Sequence, residues 1–142
     1  MLEFFDTDMQ SGTAAIYENH ITFNKSLLKY FVDAYKVRIG IDKSEKKIYT
    51  FLISKDYAES GEIKESSLLS LSVSKTYARV CSRAMVDYIC KEFELNIPKK
   101  EYLRFDASYD EKKRALIINI GGGAKWLNSI WFGYGLLYLC LP

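Results

Sequence analysis

VRIGIDKSEKKIYTFLI (Val37–Ile53) reads as a strand, a polar turn and a second strand. Val37, Ile39 and Ile41 alternate with polar or small residues, the period-two pattern of a half-buried strand, and Asp42–Lys47 breaks it with turn formers. A later stretch, LRFDASYDEKKRALIINI (Leu103–Ile120), repeats the arrangement, with Leu103, Phe105 and Ala107 alternating ahead of Ser108–Arg114. Laying Glu45-Lys46-Lys47 on Glu111-Lys112-Lys113 gives a shift of 66 positions, which also pairs Arg38 with Arg104 and Ile39 with Phe105.

Moving outward from each hairpin toward the N-terminus, an apolar helical stripe comes next. In LLKYFVDAY it is Leu27, Leu28, Phe31, Val32 and Tyr35; in MVDYICKEF it is Met85, Val86, Ile89, Cys90 and Phe93, 58 positions later. The spacing predicts a helix of about three turns in each place. Asn24 and Ser82 are suitable N-caps. Leu28, Phe31, Val32, Val86, Ile89 and Phe93 are the expected core positions. Ahead of the helices, Thr13–Tyr17 and Leu71–Val80 read as one strand each.

The change of offset implies about eight residues inserted near Asn96–Tyr102. The expected fold is therefore α+β: two tandem β-α-β-β units, 13–53 and 71–120, with helices packed on a mainly antiparallel sheet. One compact domain is expected over 1–142, with 54–70 as a polar connecting loop and 121–142 as an apolar tail.

Composition bounds the function. A hydrophobic share of 49% with two prolines in 142 residues describes a chain that can bury a core. Twenty basic and 18 acidic side chains leave a formal charge of +2, so attraction to a polyanion must come from local clusters. Three cysteines without a CxxC pair, and a single histidine, argue against a disulfide framework and a zinc site. No metal and no cofactor are expected. The acidic start, MLEFFDTDMQ, lacks the basic opening of a signal peptide, which points to the cytoplasm. The tail WLNSIWFGYGLLYLCLP (Trp126–Pro142) is uncharged but interrupted by Asn128, Ser129, Gly133 and Gly135. It stands at the short limit of about 17–25 residues for a membrane helix. Packing on the body or on a partner chain is the reading preferred over a membrane segment or a non-native extension.

Motifs of catalysis lack their context. Ser26-Leu27-Leu28-Lys29 fits S-x-x-K, but no S-D-N or K-T-G follows. Gly121-Gly122-Gly123 has no Lys-Ser/Thr pair after it, so a joint is expected rather than a phosphate loop. Asp106, Asp110 and Glu111 lie beside Lys112, Lys113 and Arg114 and read as a neutralised turn rather than a carboxylate pair for acid–base chemistry. His20 has no partner at a known spacing, and Cys90 falls on an apolar stripe. No catalytic residue is assigned.

The basic residues crowd both hairpins, and Arg38, Lys46, Lys47, Arg104, Lys112, Lys113 and Arg114 are the candidate nucleic-acid contacts. In arrangement, ITFNKSLLKYF followed by VRIGIDKSEKKIYTFLI resembles the strand–helix–hairpin unit of the swapped-hairpin bacterial regulators of the AbrB and MraZ families. The resemblance covers roughly 13–53 and 71–120. It implies an interlaced β-barrel, oligomerisation and DNA binding through basic residues. The D-x-x-x-R pattern of MraZ-type units is absent and Asn24 stands where AbrB helices open with proline, so no site residue transfers. The functional expectation is a non-enzymatic binding or assembly module that forms homo-oligomers and takes nucleic acid as its partner, in the manner of a bacterial regulator. The alternatives are protein–protein assembly through the tail and a small-ligand sensor or enzyme with a pocket between the repeats.

Overall fold

The computed structural model describes residues 2–4 and 12–122. Their eight antiparallel strands close into a barrel. The strands are β1 (Thr13–Ile16), β2 (His20–Phe23), β3 (Lys36–Asp42), β4 (Lys47–Ile53), β5 (Leu69–Val73), β6 (Ala78–Cys81), β7 (Leu103–Asp110) and β8 (Ala115–Asn119). Around the barrel they run β1-β2-β6-β5-β3-β4-β8-β7, and β7 pairs with β1 to close the ring. A 3-10 helix, Lys25–Phe31, joins β2 to β3. Helix α1 (Lys55–Glu59) and a 3-10 turn, Glu65–Ser67, join β4 to β5, and α2 (Arg83–Phe93) joins β6 to β7.

The α+β expectation is corrected by this closure: the strands form one closed antiparallel barrel, and the described helices are short connections between strands rather than a layer packed on an open sheet. The error lies ahead of each helix: Thr13–Tyr17 holds β1 alone, with a second strand, β2, following a turn at 17–19, and Leu71–Val80 is a hairpin turned at 74–77; neither turn has glycine or proline. Ser74 makes the second turn with its hydroxyl, which accepts the N–H groups of Thr76 and Tyr77 at 3.3 and 3.2 Å. Six expected strands thereby become eight, the number whose interior side chains can just fill. The segment 54–70 is likewise more than a loop, holding α1, the 3-10 turn and the start of β5.

The first expected α-helix is a 3-10 helix. Asn24 stands at its N-cap, but the Asn24 Oδ1 accepts from Thr13 N–H and Ser26 Oγ–H instead of a backbone N–H of the helix. By contrast, Ser82 caps α2 directly, accepting Met85 N–H at 3.1 Å. The short helix ends at Phe31, so Val32 falls in the following turn and is 79% exposed, not in the core. Phe31, Val86 and Ile89 are buried as expected, while Leu28 and Phe93 are half-buried against the core.

Adding four to every strand number leaves the pairing pattern unchanged. The β1–β2 ladder becomes β5–β6, β3–β4 becomes β7–β8, β1–β7 becomes β5–β3, and β2–β6 and β4–β8 map onto themselves. The turns repeat the relation atom by atom. Leu52 N–H donates to Arg114 O at 3.0 Å, and Ile120 N–H donates to Lys46 O at 2.9 Å. Lys46 and Arg114 both take left-handed backbone angles, φ 53° and 51°. Asp42 and Asp110 both accept the N–H three residues on. Each equivalence spans 68 positions, not 66, because the turn is set by its aspartate and not by the repeated Glu-Lys-Lys letters. Arg104 consequently corresponds to Lys36, and Arg38 to Asp106.

Inside the barrel, Ile16, Ile21, Phe23, Ile48, Phe105 and Ile118 are almost completely buried, and the helices add Phe31, Val86 and Ile89 to the same core. The charged strand residues, among them Arg38, Asp42, Lys47, Arg79 and Arg104, lie at the alternate, outward positions, while the inside is apolar; a membrane-spanning barrel has instead a polar interior. Among the described residues no helix is long and apolar enough to cross a membrane. The tail reading for Trp126–Pro142, like Gly123, lies outside the described residues.

Candidate nucleic-acid interface

The β4–β8 seam carries the two basic turns at its two ends. Lys46 is tied to Ile120 and Arg114 to Leu52 by the paired hydrogen bonds above, and Lys46 and Leu52 are six residues apart along β4. At about 3.3 Å per residue the tips are therefore roughly 20 Å apart. The first tip is held by Asp42, whose Oδ1 accepts Ser44 Oγ–H at 2.7 Å and Glu45 N–H at 3.1 Å. Those bonds, the Ser44 hydroxyl first, keep the Asp42 carboxyl below the usual carboxylate range. Gly121 N–H closes the tip onto Lys46 O at 3.0 Å, so the start of the glycine run serves the turn rather than an anion loop. Lys43 pairs with Glu92 of α2 at 3.1 Å, and Lys47 sits 3.9 Å from Glu45. The second tip repeats the design: Asp110 Oδ1 accepts the N–H groups of Lys112 and Lys113. Asp110 is thus a turn-former, which disposes of the carboxylate-cluster reading.

Between the tips, the outer face of β3, β4 and β8 shows three rows fixed by register. They are Arg38–Phe51–Ala115, Gly40–Tyr49–Ile117 and Asp42–Lys47–Asn119. Tyr49 and Phe51 stack with centroids 6.0 Å apart, and Lys113 Nζ lies 4.9 Å from the Tyr49 ring centre. Gly40 makes room for the aromatic side: a Cβ there would stand 3.4 Å from Phe51 Cε2. Beside this pair opens a groove of about 550 Å³, lined by the apolar and aromatic Phe51, Ile53, Tyr57 and Ile63 together with Arg38, Lys113 and Arg114. No carboxylate among the described residues lines it. Among the described residues none of these three cations has an acidic partner within ion-pair distance.

The seven candidate contacts therefore separate. Arg38, Lys113 and Arg114 converge on the groove, Lys112 projects from the same tip, and Lys46 and Lys47 stand at the far end of the aromatic pair. Arg104 does not join them; it faces outward from β7 opposite Ala15, on another side of the barrel. Tyr49, Phe51 and Tyr57 were not among the sequence candidates. The first two were legible, since Lys47, Tyr49 and Phe51 alternate with the buried Ile48, Thr50 and Leu52. Tyr57, on α1 immediately after β4, lines the groove as well, a position that strand alternation does not reveal.

Elsewhere, burial and then the nearby Asp87 raise the pKa of the Cys90 thiol, which fits a core role. Among the described residues no cluster of His, Cys, Asp or Glu has the makings of a metal site. Comparison with protein-family models, curated sequences and solved structures gives no match, so the functional reading rests on the geometry.

Proposed function

We propose that the protein is a non-enzymatic nucleic-acid-binding module that takes a single strand along the outer face of β3, β4 and β8. The observation that carries this reading is the stacked Tyr49–Phe51 pair set between two cationic turns, beside a groove lined by Arg38, Lys113 and Arg114 and by no carboxylate among the described residues. Single strands are held by basic tracks that follow the phosphates and by aromatic rings on which bases stack. Both elements are present here on one face. A net charge of +2 gives little long-range attraction, so the affinity must be local.

Fluorescence anisotropy with labelled oligo(dT), oligo(U) and a duplex of mixed sequence, each at two salt concentrations, tests the reading. Single strands bind more tightly than the duplex, with a log–log salt slope of about −0.7 per phosphate contact. Replacing Arg38, Lys113 and Arg114 by Gln flattens that slope. Tyr49→Ala or Phe51→Ala lowers affinity by about 1–3 kcal/mol per stacked base and leaves the slope unchanged. Absence of binding at low salt to all three probes overturns the proposal. Self-association belongs to the same reading, and sedimentation at the titration concentrations measures it directly.

A further inference from the structure

A different face of the barrel gathers two arginines. Strands β7, β1, β2 and β6 are consecutive neighbours, and their registers place Arg104, Ala15, Thr22 and Arg79 in one row. All four point outward, because their chain neighbours, among them Phe105, Ile16, Ile21 and Val80, are buried inside. Three ladder spacings separate the two arginine backbones, roughly 14 Å. Only Ala15 and Thr22 stand between them. The two long side chains lean from opposite banks into one groove of about 480 Å³, which Tyr17, His20 and Tyr77 also line. Among the described residues no carboxylate lines this groove either.

Each guanidinium rests on a tyrosine: Arg79 Cζ lies 5.0 Å from the Tyr77 ring centre and Arg104 Cζ 5.7 Å from that of Tyr102. Those contacts orient the planes and leave most donors unused. Of the five N–H groups on each guanidinium, one on Arg79 Nη2 reaches the Tyr77 hydroxyl at 3.2 Å. Both Nε–H groups are buried without an acceptor among the described residues. Arginine does not shed its charge, so the mutual repulsion is not relieved by deprotonation. His20, stacked on Tyr17 at 4.3 Å, feels the same field: burial, and then Arg79, depress its pKa.

We propose that this groove binds a phosphoryl group of a small molecule, seated over Ala15 and Thr22 between Arg104 and Arg79. A phosphate monoester carries about −1.5 to −2 at neutral pH and so neutralises two guanidiniums, where a monocarboxylate neutralises one. Each guanidinium offers the planar fork that phosphate oxygens accept in pairs. The Thr22 hydroxyl supplies a further donor at the centre of the row. This site is separate from the oligonucleotide face, and the two are distinguished by different variants.

Isothermal titration of the full chain with inorganic phosphate, with phenyl phosphate and with sodium acetate at matched ionic strength tests the proposal. Saturable binding of at least one phosphoryl probe is expected, with acetate at least tenfold weaker. The stronger of the two probes then tells whether free phosphate or an ester is the source. Arg79→Gln and Arg104→Gln each weaken the phosphoryl probe at least tenfold, while Lys113→Gln leaves it unchanged. Thr22→Glu guards against misfolding of the arginine variants: it sets a carboxylate between the guanidiniums, so it folds and loses phosphoryl binding. Equal response to phosphate and acetate, parent-like affinity in either arginine variant, or phosphoryl binding retained by Thr22→Glu overturns the site.

Discussion

Thr50 lies on the inner face of β4, fully buried, with its hydroxyl oxygen meeting no hydrogen-bond partner among the described residues. A buried hydroxyl without a partner costs about 1–3 kcal/mol of lost hydration. Thr50→Val keeps the branched shape and removes that cost, so it should stabilise the barrel by about 1 kcal/mol in urea titration. A loss of stability would mean that the hydroxyl is satisfied in solution. His20 gives a prediction of opposite kind. Its Nδ1 lies 2.6 Å from Asn19 Oδ1, and burial together with Arg79 holds its pKa below the ordinary 6.5. Above pH 6.5 both the folded and unfolded chains carry it neutral, and it contributes nothing to pH dependence. As the pH falls through that value the unfolded chain protonates first, so stability drops until the folded imidazole titrates as well. Arg79 and Tyr17 face it, with Cys81 opposite on β6. The unfolding midpoint of the parent should therefore fall more between pH 7.5 and 5.5 than that of His20→Gln. Identical pH profiles for the two would overturn the assignment. At this scale much was legible in the sequence, since alternation alone puts Ile48 inside and Lys47 outside. The missing partner of Thr50 and the cross-strand meeting of Arg79 with Arg104 were not, because both depend on which strands become neighbours.

The two apolar stripes look alike in sequence and behave differently as elements. Ser82 caps the second helix, which runs three turns to Phe93 and ends on Glu94 in the left-handed region, φ 53°. The first has its cap oxygen engaged by β1 and the Ser26 hydroxyl, and it winds tightly for seven residues. Mutations should report the contrast. Ile89→Ala is expected to cost about 2–5 kcal/mol through the cavity it leaves, and Ser82→Ala about 1 kcal/mol through the lost cap. Val32→Ala should stay within about 0.5 kcal/mol, because Val32 is largely in solvent. Denaturant midpoints check all three, and a Val32→Ala cost above that of Ser82→Ala would restore the longer first helix. The sequence pattern failed here because it scores periodicity and is blind to where a capping side chain turns. It failed at the 17–19 and 74–77 turns for a related reason: serine and asparagine turns carry a weaker signal than glycine or proline.

Taken whole, the barrel is held together across its halves as much as within them. Of its eight ladders, β1–β7, β2–β6, β3–β5 and β4–β8 join the first four strands to the last four. Without its partner half, each set of strands would keep two hairpins and lose those four ladders, and isolated hairpins are marginal in water. The interleaved pairing also puts Arg38 and Arg114, from different halves, into one groove, so the candidate nucleic-acid face requires both. A cut can nevertheless be made where little is lost. Gly61 lies in an exposed turn with φ +86°, and a Cβ there would meet nothing within 4 Å. Chains 1–61 and 62–142 made separately should each fail to give a folded monomer, judged by dispersed amide NMR signals. Mixed, they should associate and recover the dispersed spectrum, because the lost covalent link costs association entropy while every ladder can re-form. A dispersed spectrum from either piece as a monomer would show that the halves are independent, and the shared groove would then lose its structural basis.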